Sequence, residues 1–165
     1  MKNVALISFI LLFLFTGLLA GPGAEVGEKA PDFKLKSLTG NNQVSLAGLR
    51  GKVVLLDFWA SWCAPCKISM PHLTKLSAKY KKFEVIAINI DDDKENAITF
   101  LSDLNLDINA VYDETKKVVS AYDVPEMPTA FLIDQYGTVQ YIHSGYSEEK
   151  MKKLEFAIRG LLDKR

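Results

Sequence analysis

The stretch VVLLDFWASWCAPCK, Val53 to Lys67, runs an almost unbroken apolar segment straight into two cysteines. From Val53 to Trp59 the side chains are aliphatic or aromatic except for Asp57. That pattern is expected of a strand buried on both faces. Beyond it, Met70, Leu73, Leu76 and Tyr80 recur at spacings of three and four, so Pro65 to about Tyr80 reads as a helix. Pro71 falls inside that pattern and is expected to kink it. A buried strand therefore delivers Cys63 and Cys66 to the start of a helix.

Working outward, Phe83 to Ile90 (FEVIAINI) reads as a second buried strand, and Lys94 to Leu104 as an amphipathic helix. A short strand near Ala110 to Tyr112 and a helix over Thr115 to Tyr122 follow. Thr129 to Ile133 and Val139 to His143 are strands joined at Tyr136-Gly137. Ser147 is placed to cap a last helix, with Glu148 and Glu149 in its first turn. On the other side, Phe33 to Lys36 and Gln43 to Leu46 alternate apolar and polar residues around the turn Thr39 to Asn42, as in a β-hairpin. Strands alternating with helices, then a hairpin and a terminal helix, predict one three-layer α/β domain with a mixed central sheet.

The chain has 165 residues, enough for one domain. Lys plus Arg balances Asp plus Glu at 20 each, so no net field favours nucleic acid or an anionic membrane. The first residues read as an address: a basic Met1-Lys2, an apolar Val4 to Phe15, then the small residues Ala20 to Ala24. Residues 1–24 are expected to be a signal peptide or an N-terminal membrane anchor, and residues 25–165 the domain. Val4 to Ala20 lies at the lower edge of the roughly 17–25 residues that span a bilayer. Either way the positive end stays inside and the domain is exported.

Export bears on the cysteines. Disulfides persist outside the cytosol, but a bridge across three residues closes too short a loop to stabilise much. Turnover is the better use. Residues three apart in a first helical turn are neighbours, within the Cα separation of about 4.4–6.8 Å that a disulfide needs. At a helix N-terminus, unpaired N–H groups and the macrodipole favour an anionic sulfur. Cys63, expected at the exposed end, is the candidate nucleophile, and Cys66, one turn in, the resolving thiol. Trp62 offers a flat apolar platform for a substrate. Pro65 has no N–H to give the Cys63 sulfur and Ala64 brings no charge, which predicts a comparatively reducing couple. A rival use is a zinc site completed by His72 and His143, although their spacing fits no finger pattern.

LLDFWASWCAPCK, followed by Pro71 and by Met127-Pro128-Thr129, resembles the thioredoxin-fold thiol–disulfide oxidoreductases. The leading stretch Gly27 to Phe33 and the long insertion between Ile90 and Val124, an extra βα unit, resemble the exported TlpA/ResA-like branch. A peroxiredoxin would show Pro-x-x-x-Thr-x-x-Cys; Leu56 to Ala60 followed by Ser61-Trp62-Cys63 points away from peroxide reduction. The resemblance implies a thioredoxin-like α/β/α fold in which Pro128 is a cis-proline beside the disulfide. Met127, Pro128 and Thr129, with Trp62 and Pro65, would then meet a substrate strand. It implies that Asp57 handles the proton of Cys66, since a carboxyl on a buried strand has a raised pKa.

Two positions depart from the pattern. Ala87 stands where simple thioredoxins have a lysine facing the acid, and Ser69 where many TlpA/ResA members have a glutamate. The resemblance further implies no cofactor beyond the redox-active disulfide, and protein thiols and disulfides as substrates. It also implies an upstream membrane thiol reductase, a monomer, and a place in the periplasm or on the extracytoplasmic face of the membrane. The task would be cytochrome c maturation or general envelope thiol reduction. A thioredoxin-fold binding module with inert cysteines is the alternative from another class. Asp91-Asp92-Asp93 lack the glycine and terminal glutamate of a calcium loop and read as acids favouring the start of the Lys94 helix.

Overall fold

The computed structural model describes residues 23–163. The expected signal or anchor segment lies almost wholly outside the described residues. Among the described residues, no helix is long and apolar enough to cross a membrane.

The decisive stretch folds as read. Strand β3 (Val53–Trp59) is buried at every position, and helix α1 (Ala64–Lys79) follows it. Covering both faces of a strand requires layers on both sides, and the neighbouring elements supply them. In chain order the remaining strands are β1 (Lys34–Ser37), β2 (Gln43–Ser45), β4 (Phe83–Asn89), β5 (Asn109–Tyr112), β6 (Thr129–Ile133) and β7 (Val139–Ser144). The other helices are α2 (Lys94–Asp103), α3 (Lys117–Ala121) and α4 (Glu148–Leu162), with a 3₁₀ turn at Ala47–Leu49.

The seven strands make one mixed sheet in the order β2-β1-β5-β4-β3-β6-β7. β3 lies at its centre, parallel to β4 and antiparallel to β6. The hairpin β1–β2 docks on β5, so the extra βα unit widens the sheet between the hairpin and β4.

On one face, Val53, Leu55, Val85 and Leu132 pack under Leu73 and Leu76 of α1 and Leu154 and Ile158 of α4. Toward the cysteines the same layer continues through Met70, Ala87, and Ala97 and Leu101 of α2. The opposite face has less helix than expected. There Val54, Leu56, Phe58 and Ile86 meet Val118 of the five-residue α3 together with Ala24, Ala30 and Phe33 of the leading segment. Tyr122, predicted to be core, is 1% exposed and donates its hydroxyl to the Pro31 carbonyl at 2.7 Å, which pins that segment down.

Helix ends follow side-chain chemistry. Asp93 accepts from Glu95 N at the start of α2, and Ser147 from Lys150 N at the start of α4. α1 runs unbroken through Pro71. α3 is shorter than the expected Thr115–Tyr122 because Lys116 takes a left-handed conformation (φ 58°) just before it.

Candidate active site

Cys63 is the N-cap of α1, with extended backbone (φ −84°, ψ 100°), and Pro65 occupies the first turn, where its missing N–H is no loss. Cys63 and Cys66 are joined by a disulfide with a Cα–Cα separation of 5.3 Å. The backbone N–H of Cys66 donates to Cys63 Sγ at 3.2 Å. The helix therefore offers this sulfur both a hydrogen bond and the positive end of its dipole. Cys63 is less exposed than the sequence suggested: 4% against 0% for Cys66. The asymmetry between the two survives, and Cys66 is sealed. Trp62 beside them is 70% exposed, and Pro65 is half-buried.

Asp57 sits beneath this pair on the face that α1 covers. Its register partners are Ala87 on β4 and Ala130 on β6. The carboxyl is 1% exposed, and its Oδ2 has no hydrogen-bond partner among the described residues. Burial pushes its pKa up to about 8. Ala87 offers no counter-charge. Ser69, one turn beyond Cys66, is buried and donates its hydroxyl to the Cys66 carbonyl at 3.3 Å, so it anchors the helix rather than titrating.

The Met127-Pro128 bond is cis. Met127 is half-buried against the cluster that contains both cysteines. Gly145, with φ 69°, donates its N–H to the Pro128 carbonyl at 2.7 Å and draws the end of β7 onto this loop. Thr129 is fully buried. Its hydroxyl donates to the Glu126 carbonyl at 2.7 Å and receives that of Ser144 at 2.8 Å, so its side chain holds the loop and only its backbone could meet a substrate. His72 and His143 are apart from the sulfurs. His72 Nε2 lies 3.4 Å from Tyr146 Oη, and His143 lies on β7. Among the described residues, no three His, Cys, Asp or Glu side chains are grouped to hold a metal ion.

A buried strand, a helix-capping disulfide, a buried acid and a cis-proline thus mark the site, and comparison with known proteins gives the family. Residues 25–158 match the Redoxin family. The chain belongs to the Redoxin family. It is 40% identical over 122 residues to thiol-disulfide oxidoreductase ResA of Geobacillus kaustophilus (strain HTA426), covering 73% of this chain and 70% of that protein. It is 36% identical over 132 residues to thioredoxin-like protein YneN of Bacillus subtilis (strain 168), covering 78% and 76%. A Chlorobium tepidum crystal structure, provisionally described as a thiol:disulfide interchange protein DsbE, superposes with a TM-score of 0.80 at 39% identity. That match covers 85% of this chain and 99% of the other. This Redoxin-family chain is a thiol–disulfide oxidoreductase with a thioredoxin-like fold, acting on thiols and disulfides.

One residue of the oxidoreductase site escaped the sequence reading. Asp91, expected only to favour the start of α2, is 1% exposed and reaches back to the active-site loop. It accepts from Ser61 N at 3.0 and 3.1 Å, from Ser61 Oγ at 3.0 Å and from Asn89 Nδ2 at 2.9 Å. Ser61 is two residues before Cys63, so Asp91 fixes the turn that delivers the sulfur. The signal was hidden because three consecutive aspartates look alike. Asp91→Ala leaves the Ser61 N–H and the Asn89 amide without partners, which should cost about 2–4 kcal/mol. Urea unfolding of the oxidised protein reads that loss.

Proposed function

We propose that this oxidoreductase is exported and reduces disulfides in partner proteins, with Cys63 as nucleophile and Cys66 as resolving thiol. The hydrogen bond from Cys66 N to Cys63 Sγ carries the reading. Once the disulfide is opened, the same N–H and the helix dipole stabilise a thiolate at Cys63. Cys66, fully buried, has no such access to a substrate and is poised three residues away to attack the mixed disulfide. Its proton goes to Asp57, the buried carboxyl on the strand beneath, which must first release its own proton because a pKa of about 8 leaves it mostly protonated at neutral pH. Trp62 and Ile68, 70% and 53% exposed before and after the pair, give an extended substrate segment apolar surface. Met127 packs against the apolar cluster that contains both cysteines. The basic-apolar-small layout of residues 1–24 supports export as a signal peptide or anchor, and outside the cytosol a membrane thiol reductase would restore the dithiol.

The reducing direction rests on how few groups stabilise the thiolate. Ala64 and Pro65 add no charge, and the amide of Pro65 has no hydrogen to donate. A strongly oxidising couple needs a more stabilised reduced form. Equilibration with a glutathione or dithiothreitol series should therefore place the potential nearer about −270 mV than about −120 mV. A value close to the oxidising limit would reverse the assigned direction.

A further inference from the structure

Five strands contribute one lateral row of side chains beneath α1. Register pairs Ala110 with Ala87, Ala87 with Asp57, Asp57 with Ala130, and Ala130 with His143. Directly opposed residues share a face of the sheet. Asp57 is thus flanked by alanine on both sides, and His143 stands one strand beyond. The adjacent row confirms the face: Val85, Leu55, Leu132 and Tyr141 pack under α1 and α4. That row is filled with large apolar groups, whereas the row of Asp57 is filled with methyls.

Two buried polar atoms of this row, Asp57 Oδ2 and His143 Nδ1, have no hydrogen-bond partner among the described residues. Buried polar atoms are normally paired, so two orphans in one row call for a common explanation. Strand spacing of about 4.8 Å puts the two Cα atoms about 9.6 Å apart, and side chains of this length leave a gap that one water can bridge. The ends of the row differ. Asp57 is sealed at 1% exposure, whereas the His143 ring is partly exposed.

We propose that His143 is a positioning residue for the proton of Asp57, passing it to and from solvent through a water held above Ala130. This rests on the reading of Asp57 as acceptor for the Cys66 proton. In the resolving step the Cys66 sulfur bonds to Cys63 Sγ, the bond from Cys63 to the substrate sulfur breaks, and the substrate leaves as a thiolate. The dithiol is oxidised by two electrons and the substrate disulfide reduced. The Cys66 proton, now on Asp57, crosses the water to Nδ1 while the far ring nitrogen releases one to solvent.

The ring is suited to this because it is neutral. Burial and the Lys150 ammonium hold its pKa down at about 4, leaving a lone pair free at neutral pH. Lys150 belongs to the first turn of α4 and also bonds the Ser144 carbonyl; the Tyr141 ring lies 5.9 Å from the histidine ring on the same strand.

The test is the rate of mixed-disulfide resolution at pH 7 in the full chain, followed by stopped flow for His143→Ala, Asp57→Asn and the double variant. His143→Ala should slow resolution about tenfold, and added imidazole should restore it. In the double variant the histidine change should add nothing to the Asp57→Asn loss. A purely structural role would give neither rescue nor that cancellation. His143→Gln, which keeps side-chain length, should be slow in the parent and silent with Asp57→Asn, and it carries the test if the alanine variant fails to fold. Wild-type rates for the His143 variants alongside a slow Asp57→Asn overturn the relay alone. Additive losses overturn it as well, since His143 would then act apart from Asp57. An Asp57→Asn variant as fast as wild type removes the acceptor itself, and the relay with it.

Discussion

Cys63→Ser should abolish insulin disulfide reduction, lowering the rate by more than about 10³-fold. The reason is chemical rather than steric. A serine hydroxyl keeps its proton at neutral pH even at a helix N-terminus, and oxygen does not form the sulfur–sulfur bond on which exchange depends. Cys66→Ser should behave differently. Cys63, the more accessible of the two and the one receiving the Cys66 N–H, still attacks, but nothing resolves the product. Protein substrates should accumulate as mixed disulfides, visible as adducts on non-reducing gels and released by dithiothreitol. The pair of outcomes tests the order of events and also the inert-module alternative. Activity retained in Cys63→Ser, or Cys66→Ser dead without adducts, would overturn the assigned roles.

How far these residues were legible in the sequence depends on whether their signal is local. The cysteine pair, the helix that starts at it and the buried strand before it are written in consecutive residues, so β3 and α1 fall within a residue or so of expectation. Asp57 stands out as the one charge in an apolar run. Asp91 and His143 could not be found that way. Asp91 acts through Ser61, thirty residues back in the chain, and only the adjacency of β3 and β4 joins them. His143 meets the Asp57 row through two successive strand registers, and a shift of one residue in either would turn it to the other face. The thin layer over the opposite face was missed for a related reason. The leading segment has no periodicity of its own and is held by long-range bonds such as Tyr122 to Pro31.

Asp57→Asn should raise the stability of the oxidised protein at neutral and alkaline pH while reducing its activity. The folded-state pKa of Asp57, about 8, lies above its ordinary value of 3.8. Between those values the folded state holds a proton that the unfolded state has released, so stability falls as pH rises through the window. Below about 3.8 both states are protonated and the difference vanishes; above about 8 both are ionised and the full penalty is in place. At pH 7 the penalty is on the order of 4 kcal/mol. Asparagine does not titrate, but it still buries a polar group beside alanines, returning about 1–3 kcal/mol of that gain. A net stabilisation of roughly 1–3 kcal/mol at pH 7 should appear as a Tm higher by about 2–10 °C. More diagnostic is the slope. Urea unfolding from pH 4 to pH 8 should show wild-type stability declining and the variant nearly level by comparison. Parallel curves would mean that Asp57 ionises in the folded protein as it does in water, and the carboxyl under the cysteines could then not be a proton store for Cys66. Among the described residues Asp57 Oδ2 has no hydrogen-bond partner. The proposed role as acceptor for the Cys66 proton accounts for keeping such an acid against so large a stability gain from one substitution.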